Sequence, residues 1–119
     1  MAAAAASFEQ LMVDGVLVVR FSKQRLYDAD KIEELNAALL ELAEGLTTDK
    51  VVLNLHGIDY FSSSGIGALI RFSKRLGQKK AQLRLCELQP MVEEIMLLQR
   101  LDKVFDIDAD EGSAIINLS

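Results

Sequence analysis

Three consecutive hydroxyl side chains, Ser62, Ser63 and Ser64, stand directly ahead of Gly65-Ile66-Gly67. The apolar stretch Lys50-Val51-Val52-Leu53-Asn54-Leu55 precedes them, and an amphipathic stretch reaching about Gly77 follows. That order puts the serines where a strand gives way to a helix. The first turn of a helix carries N–H groups with no intrahelical acceptor, together with the positive end of the helix dipole. A hydroxyl there caps the helix, and a phosphate added there meets a favourable field. The residue types therefore fit two chemistries, simple capping and a charge switch. Gly65 and Gly67 each cost the helix about 0.5–1 kcal/mol against alanine. A turn that keeps both reads as one needing close backbone approach, by another segment of the fold or by a partner.

Other chemistries fit poorly. No Gly-Lys-Ser/Thr follows the serines, so they are not a Walker loop, and they precede the glycines rather than sitting between them as in G-x-S-x-G. His56 is the only histidine, and a triad drawn from Ser63, His56 and Asp59 crowds all three groups at one strand end. Such crowding opposes the oriented base-to-nucleophile geometry that hydrolysis needs. One histidine and one cysteine, far apart, have no metal-ligand spacing, so neither a metal nor a cofactor is expected. Cys86 falls in a predicted buried strand and reads as a small core residue. Asp106, Asp108, Asp110 and Glu111 lack the glycine and distal glutamate of a calcium loop and read as a polar turn capping the last helix. Arg71, Lys74, Arg75, Lys79 and Lys80 form a basic helix face, either solvated or suited to an acidic partner.

Composition narrows the class. A chain of 119 residues, half of them hydrophobic and 26% charged, makes one globular domain. A net charge of -5 opposes direct nucleic-acid binding. A single cysteine makes no internal disulfide, which favours a reducing, cytoplasmic setting. No apolar run approaches the roughly 20 residues that span a bilayer, so no membrane insertion is expected. Residues 1–7 are alanine-rich without a preceding basic residue, and read as a frayed terminus rather than a signal peptide. The domain then occupies residues 8–119.

The elements that must position the serines follow from periodicity. Phe8 to Val13 and Val16 to Phe21 read as strands joined by the tight-turn pair Asp14-Gly15. Ile32, Leu35, Leu39, Leu42 and Leu46 form one helical stripe, capped by Asp28 or Asp30. Val51 to Leu55 reads as a central strand covered on both faces. The helix after the serines turns Ile66, Leu69, Ile70, Ser73 and Leu76 inward. A strand over Gln82 to Cys86 follows, then a helix from Pro90 with Val92, Ile95, Met96 and Leu98 facing the core. A short strand over Val104 to Ile107 and a helix over Gly112 to Leu118 close the chain, the latter burying Ala114, Ile115 and Leu118. The order β-β-α-β-α-β-α-β-α predicts an α/β domain: a mixed, mostly parallel sheet with about four helices and right-handed crossovers.

The stretches Val51 to Leu55 and Phe61 to Ile70 resemble the core signature of STAS domains, most closely that of bacterial anti-sigma factor antagonists. The family pattern is an apolar strand, then Asp-Ser-Ser/Thr-Gly, then an apolar residue and a glycine opening a helix. Leu83-Arg84-Leu85-Cys86, Pro90 and Leu101-Asp102-Lys103-Val104-Phe105 match the elements after the signature, so the likeness covers the chain from Phe8 onward. Two positions depart from the pattern. Ser62 stands where the family has aspartate, and Tyr27 stands where it often has an acid after the leucine of Leu26-Tyr27-Asp28.

The resemblance implies a phosphorylation site on the serine two positions before the glycine, here Ser63. It implies a regulator of transcription rather than an enzyme. The bare protein binds an anti-sigma factor that is also a serine kinase of the GHKL type, which frees the sigma factor; the kinase phosphorylates the serine, and a phosphatase reverses this. The expected contact surface is Ser62, Ser63, Ser64, Gly65, Ile66 and Gly67, with Arg71 and Lys74 as rim contacts. The resemblance also admits another role, because some STAS domains are adaptor or ligand-binding subunits of transport complexes and are not phosphorylated.

Overall fold

The computed structural model describes residues 8–118. The expectations of a frayed terminus over residues 1–7 and of a domain reaching residue 119 therefore fall partly outside the described residues. The chain forms β1 (Phe8–Val13), β2 (Val16–Phe21), β3 (Gln24–Leu26), α1 (Ala29–Glu44), β4 (Lys50–Asn54) and β5 (Ile58–Phe61). It continues with α2 (Ser63–Gln78), β6 (Gln82–Cys86), α3 (Pro90–Leu98), a 3-10 turn (Leu101–Lys103), β7 (Asp106–Asp108) and α4 (Glu111–Leu118). Five strands make one sheet in the order β1-β2-β4-β6-β7, antiparallel between β1 and β2 and parallel thereafter. The α/β class and the mostly parallel mixed sheet are those that the periodicity predicts.

The sheet is covered on both faces by different amounts of chain. Val19, Phe21, Val51, Leu53 and Leu85 face α1, α2 and α3 and build the larger core. Val16, Val18, Val52 and Cys86 face the other way, where Ala114, Ile115 and Leu118 of the eight-residue α4 close over them. Continuous apolar runs in β2 and β4 follow from this, since alternate residues enter different cores. The β1–β2 hairpin turns through Asp14 and Gly15, both at positive φ (53° and 80°), as a two-residue hairpin requires.

Four details depart from the periodic reading. Two short strands, β3 and β5, pair in parallel as a separate two-stranded sheet; three or four residues are too few for a repeat to show. The last strand begins at Asp106 rather than Val104, because Leu101–Lys103 takes a 3-10 turn and draws Phe105 into the core. Leu98 is 77% exposed, since α3 buries only the arc of Val92 and Met96 before Arg100 adopts a left-handed φ of 57°. In α2, Ile70 and Ser73 are half-buried while Ala68 and Phe72 are buried, because α2 packs on α1 as well as on the sheet.

Gly57 marks the tightest backbone approach. A Cβ there would lie 2.2 Å from the Phe21 carbonyl oxygen and 2.6 Å from that of Ser22. The Gly57→Ala variant is expected to lose about 2–3 kcal/mol of stability in urea unfolding, through an overpacking that backbone atoms cannot relieve. Gly77→Ala, at a helical site with nothing within 4 Å of the added methyl, is expected to gain about 0.5 kcal/mol in the same measurement.

Candidate functional site

The serine turn is positioned from below by the small β3–β5 sheet. The Ser62 amide donates to the Leu26 carbonyl at 2.8 Å, at the end where Leu26 pairs with Phe61. Ser62 is the helix N-cap in extended conformation, and its Oγ accepts from the Gly65 amide at 3.2 Å. Its carbonyl accepts the first intrahelical bond, from the Ile66 amide at 3.0 Å. Capping by serine is thus the task of Ser62. Aspartate caps by the same geometry, so serine at this position retains the cap and removes one negative charge beside Ser63.

Ser63 and Ser64 occupy the first two positions of α2, both exposed, and neither hydroxyl makes a hydrogen bond to the described residues. Their amides have no intrahelical carbonyl to reach. Gly65 and Ile66 lie behind this surface and are buried. A Cβ on Gly65 would meet the Phe61 ring at 2.7 Å, so the close approach predicted from this glycine is made by the fold itself. Gly67 is half-buried, and a methyl there would touch only the flexible Arg71 side chain at 3.5 Å. Of the residues Ser62 to Gly67 expected to form a contact surface, Gly65 and Ile66 thus lie buried beneath the exposed Ser63 and Ser64.

At about 100° per residue, Gly67, Ile70 and Lys74 lie within roughly 40° of Ser63 around the helix axis, and Arg71 within roughly 80°. Lys74 is exposed. Arg71 is held by Asn36 Oδ1 of α1 at 3.0 Å from Nη2. The rest of the basic face is largely spent within the fold. Arg75 pairs with Glu44 at 2.9 Å, and Lys79 donates to the Ala43 carbonyl at 2.7 Å, both fastening α2 to α1. The Arg75 pairing holds the Glu44 carboxyl below its ordinary value.

Sequence reasoning missed the aromatic flank of the turn. Tyr27, 62% exposed, directly follows Leu26 and meets Tyr60 edge-on at 6.2 Å, and the Arg25 guanidinium lies 5.5 Å over the Tyr60 ring. The only signal was the alternation of Arg25, Leu26 and Tyr27 around one buried leucine.

A second missed group fixes the loop that leads into the site. Asn54, the buried polar residue ending β4, donates to Glu111 Oε1 at 2.9 Å and accepts from the His56 amide at 2.9 Å. Arg20 grips both Glu111 oxygens, at 3.0 and 2.8 Å, and the Glu111 amide donates to Glu87 Oε2. The Arg20 and Asn54 hydrogen bonds pull the Glu111 carboxyl below its ordinary value despite partial burial. Asp110 accepts from the Ser113 amide at 2.8 Å, so this acidic turn does cap α4.

His56 points to solvent, with Nδ1 3.9 Å from Glu87 Oε1, and no hydrogen bond joins it to Ser63 or Asp59 among the described residues. Cys86 is buried, and desolvation with nearby Glu87 pushes its thiol up to about 12, which makes it a core residue. Among the described residues no helix is long and apolar enough to cross a membrane, and no cluster of three metal-binding side chains occurs.

A model of the STAS domain family matches residues 8–114. The chain belongs to this family. A Bordetella bronchiseptica protein provisionally named as the anti-sigma factor antagonist BtrV is 31% identical over 96 residues, 80% of this chain and 79% of that one. The anti-sigma F factor antagonist of Paenibacillus polymyxa is 26% identical over 104 residues, 87% of each chain. Among solved structures, the Bacillus cell fate determinant SpoIIAA in its phosphorylated form aligns with a TM-score of 0.68 at 19% identity, covering 94% of this STAS domain and 99% of that chain.

Two substitutions separate the roles of the adjacent serines. Ser62→Ala is expected to cost about 1 kcal/mol in urea unfolding, through loss of the cap. Ser63→Ala, which removes a hydroxyl with no partner among the described residues, is expected to stay within about 0.5 kcal/mol of the parent. A depressed carboxyl contributes stability that is present above its unfolded pKa and lost as pH falls through the folded one. The parent is therefore expected to lose stability as pH drops below about 4.3, the ordinary glutamate value. Glu111→Gln, followed by urea unfolding across that range, is expected to be less stable near neutrality and to show a shallower acid limb.

Proposed function

We propose that this STAS domain is an anti-sigma factor antagonist whose docking is switched by phosphorylation of Ser63. The observation that carries this reading is the division of labour at the α2 N-terminus. Ser62 holds the cap, so Ser63 presents an exposed hydroxyl whose modification costs the fold no hydrogen bond. The names of the two sequence relatives support the role, and a structural neighbour is known in a phosphorylated form.

In this reading the chain is a substrate and a binding partner, not a catalyst, and it acts in the cytoplasm. The bare surface of Ser62, Ser63, Ser64 and Gly67, rimmed by Arg71 and Lys74 and flanked by Tyr27 and Tyr60, docks against an anti-sigma factor that is also a GHKL-type serine kinase. Docking releases the sigma factor. Phosphate transfer from ATP to the Ser63 Oγ then adds roughly -1.5 to -2 charge beside the unpaired amides of the first turn, which the domain tolerates. The same group, caught in a tightly packed interface, imposes bulk and desolvation. A loss of only about 3 kcal/mol lowers affinity more than a hundredfold. A phosphatase restores the bare surface.

The uncharged Ser62 in place of the family aspartate favours a second reading, a STAS adaptor or ligand-binding subunit of a transport complex that ignores serine charge. Incubation with an anti-sigma factor kinase of the same organism and ATP, followed by peptide mass spectrometry, tests the site. Phosphate on Ser63 is expected, and phosphate confined to Ser64, or absent, would overturn the assignment. Binding of the same partner to Ser63→Ala and Ser63→Asp separates the readings: the alanine protein is expected to bind constitutively and the aspartate protein at least about tenfold more weakly. Equal binding by the two would favour the adaptor.

A further inference from the structure

β1 is the outermost strand of the main sheet, so one of its edges has no neighbouring strand among the described residues. Its six residues extend over about 20 Å and offer backbone N–H and C=O groups to any strand that arrives. β1 contains no proline or lysine, and its register with β2 is unbroken from Phe8↔Phe21 to Val13↔Val16. Its single charge, Glu9, sits opposite Arg20 on the paired strand and lies 3.8 Å from that guanidinium.

Beside this edge, the sheet and α1 part to leave a groove of about 1090 Å³. Phe8, Met12, Leu17 and Leu46 supply an apolar lining, with Met12 53% exposed. Asp30, Glu33, Glu34 and Glu41 supply the α1 wall, and among the described residues no lysine, arginine or histidine lines the groove. None of these four carboxylates has an ion-pair partner among the described residues. A free strand edge, an apolar floor and an uncompensated acidic wall thus run side by side.

The geometry points to a second docking surface, independent of the serine turn, that takes an extended segment of a partner protein by strand addition to β1. Alternate side chains of an added strand face one side of the sheet. On the groove side these would be apolar residues seated on the floor and lysine or arginine residues whose stems lie on it while their cations reach the acidic wall. The complementarity of charge selects this occupant over a second copy of the chain. Two copies meeting at β1 would bring two acidic walls together on proteins of net charge -5 each, and like charges across an interface oppose association.

The probe is the end-blocked peptide Thr-Leu-Thr-Lys-Thr-Leu-Thr-Lys-Thr, titrated into the isotope-labelled protein and followed by amide NMR shifts. The expected result is saturable shifts over Phe8 to Val13 and over Asp30 to Thr47, with affinity falling as salt rises. The triple variant Glu33→Gln, Glu34→Gln, Glu41→Gln, altered only at exposed positions, is expected to bind at least about tenfold more weakly, and Met12→Asp, also at an exposed position, to disturb the apolar floor and weaken binding. Ser63→Ala and Ser63→Asp are expected to bind the peptide like the parent, so failure here and failure of the phosphorylation reading are separate results. Three outcomes would overturn the inference. One is equal binding of a peptide with serine in place of both leucines. Another is shifts gathered at the serine turn or α3. The third is self-association through β1, seen by sedimentation without peptide.

Discussion

A backbone hydrogen bond of 2.8 Å, from the Ser62 amide to the Leu26 carbonyl, joins two segments 36 residues apart and fixes where α2 begins. The rest of the site is registered to it. With the Ser62 amide occupied, its side chain turns back to the Gly65 amide and its carbonyl accepts from Ile66. Ser63 is thereby set on the first turn with its side chain outward. Phe61 lies against Gly65, where no β-carbon fits, so the chain can leave the small sheet and coil within four residues. The glycine serves the turn itself and lies buried behind Ser63.

The support extends outward in two directions. On one side, Asn54 ties the end of β4 to the loop carrying His56 and Gly57, and Glu111 with Arg20 braces Asn54 in turn. A buried amide of this kind is tolerable only when its donors and acceptors are paired, and the pairing reaches across the sheet to α4. Gln24 extends the brace, its amide donating to the Gly57 carbonyl at 2.8 Å, which fastens β3 to the same loop. On the other side, the basic residues of α2 are largely spent on α1: Arg71 on Asn36, Arg75 on Glu44, Lys79 on the Ala43 carbonyl. They hold the two helices in one layer, and Lys74 is an exposed cation on the Ser63 side with no such partner among the described residues. The acidic side chains along the opposite flank of α1 have no such partners among the described residues and give the domain a second face of different character.

How much of this was legible follows from the length of each signal. The stripe of Ile32, Leu35, Leu39 and Leu42 and the alternation of Gln82 to Cys86 in β6 repeat often enough to declare element and buried face together. So does the strand-serine-glycine junction, whose order alone placed three hydroxyls at a helix start. The pair β3 and β5 is shorter than any repeat. The inward turn of Phe105 and the exposure of Leu98 depend on where α3 stops, which the left-handed Arg100 decides. The basic face of α2 read as solvated or as a docking patch because sequence shows residues sharing a helix face but not the neighbouring helix that meets them.

The sequence by itself determined the α/β class, the buried stripes, the junction and the family likeness, because these rest on local periodicity and on residue types at fixed spacing. Only the tertiary structure decided which serine caps and which is free, since that choice depends on a carbonyl from β3 arriving at Ser62. It also decided that Gly65 answers to Phe61 and Gly57 to Phe21 and Ser22, and that Asn54, Glu111 and Arg20 form one brace. Contacts between residues tens of positions apart leave no periodic trace in a single chain, and they alone fix which identical side chain faces water.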